Sequence, residues 1–323
     1  MTSIAVTGAN GLVGSSVASR LASQGHEVVG IVRPGSLPAA YPAGGVFSGG
    51  IRFVPYIAAD TDWMAALSGV EVVIHCAALT TPPRSDRGHA LRRMRDVNVL
   101  GAARLAEHSS KSGVRRLVFI SSAKASGQRS EPGKPLRIDD PPRPEDAYGL
   151  GKLEAEAAIR EIGDTTSMQT VMIRPPMVYG PHAKGNFARL LSLIHRRVPL
   201  PFGSVYNRRS MVYLENLADF IALCSLSPDV KGGTYHVSDN RDVCLTDLLR
   251  EVGLLMRRPA LLFPFPVRGL KALGYLSGRG SDMDRLTENL QLDISASLAL
   301  GWSPPYQMAV GLEKTVQAYI TRG

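Results

Sequence analysis

A chain of 323 residues, 44% hydrophobic and 20% charged, has a globular profile and is long enough for one large domain or a core domain with a smaller lobe. Its formal charge of +9 comes from scattered basic pairs (Arg92-Arg93, Arg115-Arg116, Arg196-Arg197, Arg208-Arg209, Arg257-Arg258) with only 6% aromatic residues, so the charged stripe and stacking rings of a nucleic-acid surface are missing. Three cysteines, Cys76, Cys224 and Cys244, exclude a disulfide scaffold and a cysteine zinc site, no apolar run approaches the ~18 residues of a membrane span, and a reducing, cytoplasmic setting is expected.

Residues 4–7 read as a short apolar strand, followed by a helix with Val13, Val17 and Leu21 recurring every four residues on one face. Gly25-His26 ends that helix, 27–32 is a second strand, and 34–50 is a loop rich in Gly and Pro. Further strands are expected at 51–57, 71–75, 117–121 and 170–174, with a long helix over 89–112 and another after Asp146. Strands alternating with helices predict an α/β fold, a doubly wound parallel sheet with right-handed crossovers. After Arg174 prolines break the rhythm; short helices are expected at 187–197, 215–226 and 245–256, and one more buried strand at 234–238. The segment 261–276, broken by Pro264, Pro266, Arg268 and Lys271, reads as a core or lid helix, with a membrane-surface patch as the other reading.

Thr7-Gly8-Ala9-Asn10-Gly11-Leu12-Val13-Gly14 joins the first strand to the first helix. Glycines there allow a tight turn and let backbone N–H groups meet a pyrophosphate at the helix N-terminus, so Gly8, Asn10, Gly11, Leu12 and Gly14 are expected to hold a dinucleotide. The second strand ends in Ile31-Val32-Arg33, where an acid would grip the ribose 2′-hydroxyl. A guanidinium suits a 2′-phosphate instead, so Arg33 points to NADP(H), with NAD(H) as the alternative.

Tyr148-Gly149-Leu150-Gly151-Lys152 puts a phenol and an amine on one helical face. A neighbouring ammonium and a positive cofactor ring favour the phenolate, so Tyr148 is expected to exchange a proton with a substrate oxygen near neutral pH. Lys152 is expected to lower its pKa and hold the nicotinamide ribose. Ser121-Ser122 ends the fifth strand, where a hydroxyl can polarise a carbonyl.

These motifs resemble the extended branch of the short-chain dehydrogenase/reductase superfamily, the NAD-dependent epimerase/dehydratase family, from Thr2 to about Thr315. The resemblance implies a Rossmann domain over 1–180, completed by about 205–240, and a substrate lobe from 181–204 and 241–323. It gives the polarising role to Ser122 and matches Asn98 to an asparagine that shapes the helix and a bound water beside the catalytic group. It places Ala77, Ala78 and Pro175 on the cofactor, leaves His75 structural, and matches Asp60-Thr61 to an adenine contact, a helix cap before Trp63 being the other reading. Two positions depart from the family pattern: Gly151 stands for serine, and Ala125-Ser126-Gly127 for Val-Tyr-Gly.

Ala123-Lys124 replaces the Asp-Glu pair of the sugar dehydratases, and only Cys76 lies near the active segments, against the Cys/His acid–base pair of C3/C5 epimerase-reductases. Hydride transfer at one carbinol or ketone remains. Gly185-Asn186-Phe187, the run 199–203 and Asn207-Arg208-Arg209 resemble nucleotide-sugar segments, so Lys124, Asn186, Phe187, Arg209 and Arg285 are the expected substrate contacts, the two arginines clamping a diphosphate. The closest subgroup belongs to O-antigen assembly. It implies NADPH-dependent reduction of a UDP-4-keto-6-deoxy-hexosamine at C4, which Arg33 favours over a UDP-sugar 4-epimerase with bound NAD, and over another ketoreductase or a non-catalytic NADP sensor. It also implies a homodimer through helices near 91–110 and 148–162.

Overall fold

The computed structural model describes residues 1–36, 46–80, 87–183 and 185–321, the side chains of Arg87 and Asn186 excepted; part of the expected 34–50 loop lies outside this set. Strands β1 (Ser3–Thr7), β2 (Glu27–Val32), β3 (Ile51–Phe53), β4 (Val72–His75), β5 (Arg116–Ile120), β6 (Gln169–Arg174) and β9 (Gly233–His236) form one parallel sheet in the order β3-β2-β1-β4-β5-β6-β9. The order reverses between β1 and β4, which pair from Ile4 with Val72 to Thr7 with His75. Every residue of β4 and β5 is buried, as a sheet covered on both faces requires.

Helices α1 (Leu12–Ser23) and α6 (Leu214–Leu226) cover one face, where Val17, Leu21, Leu217 and Phe220 pack on Val6, Ile74, Val118 and Ile173. Helices α3 (Gly101–Lys111) and α4 (Ala147–Asp164) cover the other, where Leu105, Ala155 and Ile159 meet Val73, Leu117 and Met172. The expected 89–112 helix is α2 (Arg87–Arg95) running through a π-helical turn at Asp96–Leu100 into α3. A side chain at Gly101 would strike Ile57 Cγ2 at 2.4 Å, so glycine lets the helix pass close to the loop after β3. The expected strand at 51–57 stops at Phe53, because Pro55 cannot extend a ladder and Thr61 folds the chain back with a bond to the Tyr56 carbonyl. Buried Arg116 is structural: it donates to the carbonyls of Cys224, Ser227 and Val230, around and beyond the C-terminal end of α6.

A second apolar cluster joins β7 (Met177–Tyr179) and β8 (Met211–Tyr213), a two-stranded parallel sheet, to α5 (Asn186–His195), α7 (Leu245–Leu255) and α11 (Met308–Ile320). Helix α8 (Val267–Leu276) fills much of the expected core or lid segment but buries only Leu270 and Gly274; α9 (Gly280–Thr287) packs against it, and α10 (Ser295–Leu298) follows.

Candidate functional site

The β1–α1 turn carries the glycine geometry a dinucleotide needs. Gly8 has φ +64° and approaches Ala77 so closely that a Cβ would stand 2.9 Å from its backbone, while a Cβ on Gly14 would lie 2.3 Å from the Gly8 carbonyl. The Gly11 amide donates to that carbonyl at 2.8 Å. No side chain caps α1 and no acid occupies its first turn, so its positive end faces the cleft uncompensated, and the residues fit a pyrophosphate there.

The cleft, of about 510 Å³, is lined by Gly8, Asn10, Gly11, Arg33, Ala77 and Ala78, with Tyr56, Ile57 and Ala58 among its remaining wall residues. Leu12 and Gly14, also expected on the coenzyme, are not among the residues that line the cleft. Asn10 Nδ2 donates to the Ser36 carbonyl at 2.8 Å. Arg33 is exposed on the rim and pairs with no carboxylate among the described residues. Asp60 and Thr61 are outside the lining. Thr61 Oγ1 is buried in its turn, accepting from the Ala58 amide at 2.8 Å, and exposed Asp60 accepts from the Tyr56 hydroxyl at 3.3 Å; the chain presents Tyr56–Ala58 instead. His75 is structural, its Nδ1 2.6 Å from Thr7 Oγ1. Asn98 is a positioning residue: its side chain accepts from the Leu79 amide at 2.7 Å and donates to the Leu79 carbonyl at 2.9 Å, fixing the β4 exit that forms the cleft wall.

Helix α4 starts where the Asp146 carboxylate accepts from the Gly149 amide at 2.8 Å. Tyr148, Lys152 and Glu156 then follow at four-residue steps on one face. Lys152 Nζ is buried, donates to the Ile120 carbonyl at 2.7 Å and lies 5.9 Å from the Tyr148 ring centroid. Burial brings its pKa down to about 8. Burial, with the Asp146 charge adding to it, pushes the Tyr148 phenol up to about 12, and the positive ring of a bound coenzyme, on which the expected lowering depends, acts in the opposite direction.

Ser122 is half-buried and extended, and its Oγ accepts from the Lys124 amide at 3.2 Å. Ser121 belongs to a different, buried network. Its hydroxyl donates to Glu156, which pairs with Arg174 (Nη2 to Oε2, 2.5 Å); Arg174 reaches Ser126 Oγ at 2.9 Å, and Ser126 meets His236 Nε2 at 2.7 Å.

A second cavity, of about 310 Å³, is lined by Ser122, Lys124, Pro175, Phe187, Arg209 and Arg285 among others. Pro175, expected on the cofactor, lies in this wall, and its carbonyl accepts from the Ala123 amide at 2.9 Å. Asn186 opens α5 beside the cavity residue Phe187, and its side chain is outside the described set. Arg209 Nη1 donates to the Glu288 carbonyl at 2.9 Å; burial draws its pKa down to about 10, and nearby Arg285 adds to the effect. Arg285 reaches Asp146 at 3.3 Å while its buried Nε has no partner. Asp146 also takes Lys124 Nζ at 2.6 Å, and that ammonium lies 5.6 Å from the Tyr148 ring centroid. Burial alone would raise the Asp146 carboxyl; Lys124, the Gly149 amide and Arg285 together hold it below its usual range. Sequence reasoning passes over Asp146 as an active-site residue, because its position before the helix reads only as a cap.

The model of the NAD dependent epimerase/dehydratase family matches residues 4–238. A UDP-glucose 4-epimerase of Vibrio cholerae is 37% identical over 98% of this chain and 95% of its own length. A UDP-glucose 4-epimerase of Mycolicibacterium smegmatis is 28% identical over 97% of each. A UDP-glucuronic acid 4-epimerase from Bacillus cereus, solved in complex with NAD, shares the fold with a TM-score of 0.77 over 99% of both chains at 20% identity. With its glycine turn, Tyr148–Lys152 pair and seven-stranded parallel sheet, the chain belongs to the NAD dependent epimerase/dehydratase family and is an enzyme of the extended short-chain dehydrogenase/reductase type.

Proposed function

We propose that the chain reduces the C4 ketone of a UDP-4-keto-6-deoxy-hexosamine and uses NADP(H). Arg33 on the cleft rim carries this reading, since a guanidinium at the end of β2 favours a 2′-phosphate, the mark of a coenzyme consumed and exchanged each cycle. When bound, the nicotinamide supplies the hydride. Ser122 donates its hydrogen to the ketone oxygen and polarises it, and Tyr148 gives that oxygen a proton as charge develops. The Tyr148 phenol is protonated at neutral pH, the state a proton donor needs. Lys152 keeps a positive charge beside the phenolate left behind. Arg209 and Arg285 line one wall of the second cavity, and the unpartnered Nε of Arg285 suits a diphosphate oxygen. We assign residues 181–204 and 241–323 to the sugar-nucleotide lobe, which contributes Phe187, Leu190, Val243, Leu245, Leu248 and Arg285, among others, to the cavity wall. Leu91 and Leu150, exposed on α2 and α4, mark the face through which we expect a homodimer, and three free thiols fit a cytoplasmic enzyme.

The named relatives favour a second reading, a UDP-sugar 4-epimerase that retains NAD. Mixing purified protein with NADPH and a UDP-4-keto-6-deoxy-hexosamine separates the two. Reduction consumes NADPH in step with sugar; interconversion of UDP-glucose and UDP-galactose without added coenzyme establishes the epimerase instead. Tyr148→Phe is expected to lower turnover ~10²–10⁴-fold with coenzyme binding kept. Arg33→Asp should weaken NADPH more than NADH, and equal weakening refutes the 2′-phosphate contact.

A further inference from the structure

The solvent side of α8 is apolar and the arginines of its own segment are unpaired, while Asp284 and Glu288 of the adjoining α9 region are taken up by Lys271; the geometry points to this face as a docking surface for an anionic lipid bilayer. Leu273, Tyr275 and Leu276 are 56%, 64% and 86% exposed, and the lead-in to the helix adds exposed Leu261 and Phe263. The helix rests on α9 through its small residues: a Cβ on Gly274 would stand 2.4 Å from Met283 Cγ. Leu270 faces the core, but Leu273 and Leu276 turn outward, leaving large apolar side chains on the solvent side of a surface helix.

The charge on this segment selects the occupant. Residues 257–280 contain Arg257, Arg258, Arg268, Lys271 and Arg279, and no Asp or Glu. Lys271 is taken up by Glu288 at 2.6 Å and Asp284 at 3.5 Å, and Arg258 donates to the His195 carbonyl. Arg257, Arg268 and Arg279 form no ion pair among the described residues. A second copy docked through the same face would set like charges against each other. The segment is not a lid over the sugar cavity either, since no residue of 257–280 lines it. A bilayer rich in anionic lipid satisfies both features, with the leucines entering below the headgroups and the arginines meeting the phosphates, while the Tyr275 hydroxyl stays on Asp284 at 2.7 Å. Such docking is peripheral: no helix among the described residues is long and apolar enough to cross a membrane. It is independent of which sugar is reduced or epimerised.

The test is sedimentation of the purified full chain with vesicles of phosphatidylglycerol or of phosphatidylcholine, at low and high salt. The chain is expected to pellet with the anionic vesicles only, and less at high salt. The solvent-side changes Leu273→Asp with Leu276→Asp, and Arg268→Glu with Arg279→Glu, should each lower the bound fraction at least about tenfold while leaving turnover on soluble substrate intact. Failure of the unaltered chain to pellet with anionic vesicles, or equal binding to both vesicle types, overturns the proposal. So does loss of oligomeric state in the Leu273/Leu276 variant, which makes the patch a contact between copies.

Discussion

Asp146 caps α4, holds Lys124 and Arg285, and adds to the burial that raises the Tyr148 phenol, so one carboxylate sets the start of the helix and bears on the protonation of the residue two places on. Asparagine caps a helix about as well but brings no charge. Asp146→Asn is therefore expected to leave folding nearly unchanged while the ultraviolet titration of Tyr148 begins at lower pH; an unmoved titration removes Asp146 from the account. The Tyr148–Lys152 pair is legible in sequence because a four-residue step is local. The role of Asp146 is not, because its partners sit 22 residues earlier and 139 residues later. Gly151 shows the opposite case: a Cβ there would meet Val99 Cγ2 at 3.7 Å, an ordinary contact, so this departure from the family pattern leaves space unused and stores no strain.

Helix α4 joins the chemistry to the sheet. Its third inward residue, Glu156, is buried against Arg174 of β6 and also accepts from Ser121, one residue before Ser122. Removing one member of a buried pair leaves the other charge without compensation, at a cost of about 3–5 kcal/mol. Glu156→Ala should lower the melting temperature by several degrees, read by calorimetry, and Arg174→Met added to it should recover part of the loss. The strands and helices around this pair follow from their periodicity, since each is set by its own residues. The four-residue shortfall at β3, the π-helical turn before α3 and the three-residue strands β7 and β8 do not, because proline placement, close helix–loop approach and remote pairing decide them.

Across the molecule, two buried histidines tie stability to pH. Burial, helped by Lys152, draws His75 down to about 3, and burial, helped by Arg174, draws His236 down to about 4. An unfolded histidine binds its proton near pH 6.5, so the unfolded chain takes up protons first. The stability these neutral rings contribute is complete above about 6.5 and falls as pH drops towards 4 and then 3. Thermal unfolding should shift downwards over that interval, and His236→Gln should flatten the upper part of the curve; an unchanged slope in that variant excludes His236 as a contributor. The sheet was legible from the alternation of elements, whereas the second apolar cluster rests on remote contacts such as Leu200 with Leu262 and Arg209 with Val243. The sheet's last strand has a practical consequence. β9 pairs with β6 only after the chain has passed through β7, α5, β8 and α6. A fragment cut after residue 180 keeps the β1–α1 glycine turn and Tyr148 but strips the flank of β6, exposing a bare ladder of Val171, Met172 and Ile173. That raw margin invites self-association, so expression trials should keep the polypeptide whole.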